Sequence, residues 1–310
     1  MLHILYTLIP IFLIGLFGYI AVKTDRISAD GIGAISKFVF FFALPALLFS
    51  GMVRQPIGEV IALDFIWAYS FSIISLFVAA AFLARLIWHY APAESSMIAC
   101  VGSLPNLGLM GIPALVLIMG DKVLVPLTVM WLIDMIVILP LTILIIEYDK
   151  APGNLLHKVG ESIRQSLFAN PVVAAAVIGA LLATLGFQIP QALDNSIRFL
   201  GNSAGPAALF ALGGMLASQS FNWDDRLSHT MVFLKLIVQP FLTYMAMTLF
   251  GIDGELRLIA TMGSAIPVAV LSFLVAQTHN ILIPSVSSST VISTLLSVLT
   301  LTAILALLGQ

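Results

Sequence analysis

The sequence predicts an all-α polytopic membrane protein of ten transmembrane helices in two inverted five-helix repeats, with helices 4 and 9 broken. Three observations predict it. Hydrophobic residues make up 60% of the 310 residues and charged ones 9%, whereas soluble domains run at roughly 45–50% apolar and about 25% charged. Apolar runs of about 20 residues, the length that crosses a bilayer core of about 30 Å, recur along the whole chain. Two short motifs in the first half return in the second half at nearly one offset.

Taken in order, span 1 is 4–22, and Lys23 and Arg26 follow it instead of leading it, the wrong charge order for a cleaved signal peptide. The same length criterion places spans 2 to 10 at 33–53, 62–88, 95–119, 123–147, 170–188, 194–218, 229–251, 256–278 and 286–308. Turn-forming pairs such as Thr24-Asp25, Gln55-Pro56, Ala91-Pro92 and Gly120-Asp121 punctuate the connections. The longest connection is about 148–169. Residues 1–150 then form the first repeat, 151–169 a connecting loop and 170–310 the second repeat. Lys23, Arg26, Lys37, Arg85, Lys150, Lys158, Arg164, Arg226 and Lys235 fall on one side, against Arg54, Lys122, Arg198 and Arg257 on the other. The positive-inside bias makes the first side cytoplasmic, so the connecting loop is expected inside and both termini outside.

The repeat is visible in the motifs. Pro45-Ala46-Leu47-Leu48-Phe49 returns as Pro206-Ala207-Ala208-Leu209-Phe210, an offset of 161 residues. Gly102-Ser103-Leu104-Pro105 returns as Gly263-Ser264-Ala265-Ile266-Pro267, with the prolines 162 apart. Five spans per unit is an odd number, so the second unit enters the membrane upside down. Such inverted repeats characterise secondary transporters, whose substrate site lies near the midplane where interrupted helices meet. Proline in a span removes a backbone donor and clashes with the preceding turn, and in lipid the freed groups need protein or water partners. Pro105 and Pro113, with Gly102, Gly108 and Gly111, mark span 4 as interrupted, and Gly263, Ser264 and Pro267 mark span 9.

Phe41-Phe42-Ala43-Leu44-Pro45-Ala46-Leu47-Leu48-Phe49 resembles the second-helix signature of the auxin efflux carrier family, which includes the plant PIN-type carriers and many bacterial transporters. Leu104-Pro105-Asn106-Leu107-Gly108-Leu109-Met110-Gly111-Ile112-Pro113 resembles its fourth-helix crossover. Asn170-Pro171 and Ala204-Gly205-Pro206-Ala207-Ala208-Leu209-Phe210-Ala211-Leu212-Gly213 are similar to the openings of its sixth and seventh helices. The resemblance implies a fold similar to bile-acid and sodium/proton transporters. In it, helices 1, 2, 6 and 7 form a scaffold, helices 3–5 and 8–10 a moving elevator unit, and helices 4 and 9 cross. It also implies a small organic anion as substrate. Two departures stand out: Ile266-Pro267-Val268 is apolar at the second crossover, and the short connection between helices 5 and 6 favours a microbial solute carrier over a plant auxin carrier.

Asn106 follows the span 4 proline, where a second half-helix begins. Asn is a favoured N-cap, half-helix N-termini suit a carboxylate, and the amide can itself donate to an anion. Substrate contact is therefore expected from Asn106 with Pro105, Ser103, Gly108, Ser264 and Pro267, and more weakly from Thr261; capping alone is the plainer reading of Asn106. Asp134 lies in the middle of span 5, where a charge costs about 2.5–3.5 kcal/mol on insertion scales, so it is the expected coupling residue, the alternative being a protonated structural group. Lys235, with Gln239 and Pro240, is placed near a span end, from which its ammonium is expected to snorkel to the surface.

Other chemistry is excluded by context. Gly201-Asn202-Ser203-Ala204-Gly205 has the spacing of a nucleophile elbow but opens an apolar helix, and small-residue packing explains it better. No Lys follows a Gly, so no phosphate loop is present. The five histidines lack metal-ligand spacing, and the single Cys100 excludes a disulfide framework. A net charge of −2 without a basic cluster argues against nucleic acid. The expectation is thus a secondary carrier of a mono- or dicarboxylate such as malonate, or of an auxin-like acid, in the bacterial inner (plasma) membrane. It needs no cofactor, is coupled to protons in preference to sodium, and has as partners the substrate, the lipid bilayer and, as an alternative to a monomer, a second copy in a homodimer. A sodium-coupled symporter and a membrane-embedded enzyme or sensor are the competing readings.

Overall fold

The computed structural model describes residues 2–54, 63–150, 170–187 and 189–308, with side chains from residue 9 onward and excepting that of residue 150. The connecting loop expected over 151–169, with Lys158 and Arg164, lies outside the described residues, as do Gln55-Pro56 and Gln188. Among the described residues the chain is all helical: α1 is Leu2–Lys23, α2 Ala29–Arg54, α3 Leu63–Trp88, α4 Pro92–Ser103, α5 Leu107–Met119 and α6 Asp121–Asp149. Then follow α7 Pro171–Thr184, α8 Gln191–Ala217, α9 Arg226–Leu249, α10 Gly254–Ser264, α11 Val270–His279 and α12 Ile283–Leu308. Six of these, α2, α3, α6, α8, α9 and α12, are long and apolar enough to cross a membrane. Large apolar side chains such as Trp67, Phe82, Phe199 and Leu299 stand exposed on helix faces, a surface suited to lipid. The protein is an integral membrane protein.

Helix starts follow local chemistry. Ser28 caps α2, its hydroxyl accepting from Gly31 N at 3.1 Å, so this helix begins four residues before the expected 33. Asp225 caps α9 through Leu227 N at 3.0 Å, and its first residue is Arg226, not 229. Four π-helical turns occur among the described residues, at Val39–Ala43, Leu107–Gly111, Asp134–Ile138 and Leu234–Val238. Each is followed, two residues beyond its end, by a proline: Pro45, Pro113, Pro140 and Pro240. A proline clashes with the carbonyl four residues back, and a wider turn just before it relieves the clash without ending the helix.

Two compact units share the chain. The first takes residues 1–62, 107–129 and 168–218. In it α1 packs along α8, and α7 along α2. The approach is so close that a Cβ on Gly18 would fall on the Phe210 carbonyl and one on Gly213 on the Gly15 carbonyl. The second takes residues 63–106, 130–167 and 219–310. There α4 lies against α3, α9 and the latter part of α6, α10 against α9 and α12, and α11 against α12.

Candidate functional site

The second unit is built around two interruptions. α4 stops at Ser103 and the chain runs extended through Leu104, whose φ of −92° and ψ of 107° are those of a strand. α10 stops at Ser264, and α11 begins at Val270. The two links lie antiparallel: Asn106 N donates to Pro267 O at 2.9 Å, Ala269 N donates to Leu104 O at 3.0 Å, and Pro105 faces Val268. Groups that proline and the broken turns release from the helices are thus satisfied by the other break. Val268 N goes instead to the Ser293 hydroxyl of α12 at 3.1 Å.

Around this ladder is a buried polar cluster. Ser103, Ser264, Lys235 and Gln239 are wholly buried, and Asn106 is 6% exposed. The hydroxyls of Ser103 and Ser264 bond back to their own helices, at Ala99 O (2.7 Å) and Thr261 O (2.9 Å). Their carbonyls are used elsewhere. Lys235 Nζ donates to Ser264 O at 2.7 Å and to Gln239 Oε1, and Gln239 Nε2 donates to Ser103 O at 2.6 Å. One side-chain pair of α9 therefore closes the C-terminal ends of both interrupted helices, the ends at which a cation or a donor is favoured.

The expectation that Lys235 snorkels is overturned. It is fully buried because α9 begins at Arg226, which moves Lys235 a turn away from the helix end, and because its ammonium has carbonyl and amide oxygens within reach.

Asp134 is also fully buried, at the start of the π-helical turn of α6. Tyr69 of α3 donates its hydroxyl to Asp134 Oδ1 at 2.9 Å, while Oδ2 makes no hydrogen bond among the described residues. A second inter-helix bond, Ser72 to Thr243 at 2.8 Å, ties α3 to α9. Among the described residues no three His, Cys, Asp or Glu side chains come together as a metal cluster.

Of the residues singled out from the sequence, Ser103, Pro105, Asn106, Ser264 and Pro267 meet at the crossing, and Asp134 belongs to the same unit. Gly108 lies in the π-helical turn of α5, part of the first unit. Sequence reasoning missed Tyr69 and Ser293 and gave Gln239 no role. The signal for Gln239 was available: it stands one helical turn from Lys235, and two broken helices must leave carbonyls in want of donors.

Helices that break inside the apolar core, pair with each other and keep polar groups beside the break are the arrangement of proteins that move solutes through membranes. Residues 3–305 match the family described as membrane transport protein, and the chain belongs to that family. Relatives include a protein of Rhizobium meliloti (strain 1021) named "Putative malonate transporter", 26% identical over 97% of this chain and 94% of the relative. "Uncharacterized transporter YfdV" of Escherichia coli (strain K12) is 27% identical over 93% of this chain and 92% of its own length. "Auxin efflux carrier component 8" of Arabidopsis thaliana is 30% identical, over 41% of this chain and 36% of the relative.

Proposed function

We propose that the protein is a secondary carrier that moves a small organic anion by alternating access. The substrate is a mono- or dicarboxylate, and malonate is the first to try because a relative matched along nearly its whole length bears that name. The observation that carries the reading is the hydrogen-bonded crossing of two broken helices in a buried core, with Asn106 in the ladder. The α11 N-terminus and the Asn106 amide supply donors for a carboxylate, with Ser103, Pro105, Ser264, Pro267 and Gly108 as the accompanying contacts. The accompanying layout is ten spans in two inverted repeats, 1–150 and 170–310, with the intervening 151–169 loop cytoplasmic and both termini outside the inner membrane. In it the unit that carries the crossing travels like an elevator.

An anion crossing alone works with or against about 2.3 kcal/mol per charge per 100 mV, so a coupled proton has a large effect. Asp134 is the coupling group in this reading, supported by its burial and by the carboxylate oxygen that makes no bond among the described residues. Counterflow of labelled malonate and other short carboxylates into proteoliposomes tests the carrier. Labelled anion accumulating against an unlabelled interior pool is expected; its absence for every short carboxylate sinks the substrate class. Asp134→Asn, a mimic of the protonated acid, is expected to keep substrate binding and lose the response of uptake to a pH gradient. A variant that keeps the wild-type response makes Asp134 structural.

A further inference from the structure

The two helix ends that Lys235 and Gln239 close are repeat-related. Ser103 and Ser264 hold the same place in the two copies of the recurring Gly-Ser motif, and each is the last residue of its helix, α4 or α10. Each helix C-terminus carries the equivalent of about half a negative charge on carbonyls with no partner in their own helix. Two such ends converging on one point amount to about one negative charge. At this depth no water dissipates it: Ser103, Ser264, Lys235 and Gln239 are all fully buried. Convergent half-helix C-termini with free carbonyls are the geometry in which membrane carriers hold a monovalent cation. Here the side-chain nitrogen of Lys235 occupies that place. This Nζ lies 2.7 Å from Ser264 O and bonds the Gln239 amide oxygen, and that amide passes the contact on to Ser103 O at 2.6 Å.

We infer that the Lys235 ammonium is a tethered monovalent cation: it fills the place between the two half-helix ends that a free sodium or potassium ion would otherwise take, so the crossing is held together without a dissolved cation. Gln239 makes the arrangement work for a single charge. The neutral amide turns one ammonium into donors for two carbonyls, and Lys235 alone reaches only one of them. The site itself stands on the geometry of α4, α9 and α10. Its consequence for transport, that no sodium gradient drives it, rests on the carrier reading.

The test needs no substrate. The full-length protein in detergent is melted in choline, sodium, potassium or n-propylammonium chloride at equal ionic strength, as wild type and as Lys235→Ala. Propylammonium is the portion of the lysine side chain that the alanine variant lacks. The wild-type melting temperature is expected to move by less than about 1 °C among the four salts. The variant is expected to melt lower in choline and to recover by about 1.5 °C or more in propylammonium or sodium, the shift that about 1 kcal/mol of ligand stabilisation gives in a chain of this size. Sodium or potassium raising the wild-type melting temperature overturns the inference. So does a monodisperse Lys235→Ala protein that responds to neither small cation. Should Lys235→Ala yield no folded protein, the wild type decides: insensitivity of its melting to exchange of choline for sodium upholds the tethered cation, and sensitivity overturns it. Malonate counterflow is scored separately, so a wrong substrate leaves this result readable.

Discussion

The two compact units solve the same problem, packing helices in a solvent as apolar as their own side chains, by opposite means. In the first unit α1 and α8 touch backbone to backbone, with Gly18 against Phe210 and Gly213 against Gly15. Dispersion between closely fitted surfaces holds such contacts, and small residues permit them. In the second unit the helices are bridged by buried polar groups: Tyr69 to Asp134, Ser72 to Thr243, and Lys235 with Gln239 to the two helix ends. A buried donor or acceptor is expensive unless paired, so a unit retains such groups where they do something that packing cannot. The first unit is therefore sensitive to volume, and the second to the loss of a partner.

The largest effect expected is at Gly213. Gly213→Val puts a branched side chain where even a Cβ meets the Gly15 carbonyl, so α1 and α8 must separate. A loss of about 3 kcal/mol or more is expected, read as collapse of the folded peak in size-exclusion chromatography. A variant that melts like wild type would end the idea that this unit is held by backbone approach. Next comes Gln239→Leu, nearly equal in size but without the amide. It leaves the buried Ser103 carbonyl without its donor and Lys235 with one acceptor fewer, a cost of about 1–3 kcal/mol in melting experiments. Asn106→Ala is expected to keep the crossing, because the ladder bond of this residue to Pro267 O is made by its backbone. Substrate binding alone should weaken, by about 1–3 kcal/mol in a titration with malonate. Wild-type affinity would reduce Asn106 to a residue of the link. The smallest effect is at Gly33, in the same unit as Gly213 but with nothing within 4 Å of a built Cβ. Gly33→Ala should raise stability by about 0.5–1 kcal/mol through helix propensity, which separates glycines that packing requires from one that it does not.

What the sequence revealed depends on how far apart the interacting atoms are along the chain. Apolar runs and prolines act locally, and from them the all-helical membrane character and both interruptions could be read at Pro105 and Pro267. The π-helical turns were also within reach. Each precedes a proline by two residues, and the rule that a proline inside a span demands a widened turn would have located them. Partners could not be read. Tyr69 and Asp134 are 65 residues apart, and Lys235 bonds a main-chain oxygen, an atom that every residue possesses and that no side-chain pattern announces. The snorkelling expectation failed for this reason, aided by a helix start placed three residues late.

The ladder at the crossing has a consequence for how such a protein can diversify. Its two hydrogen bonds, Asn106 N to Pro267 O and Ala269 N to Leu104 O, are made by main-chain atoms alone. Selection acting on side chains therefore cannot easily erase them. A lineage can exchange Leu104, Val268 or the amide of Asn106 for other groups and still inherit the same joint, much as a hinge outlives the doors hung on it. Substrate preference and mechanical framework are then separately heritable, so a change of cargo does not require the crossing to be reinvented.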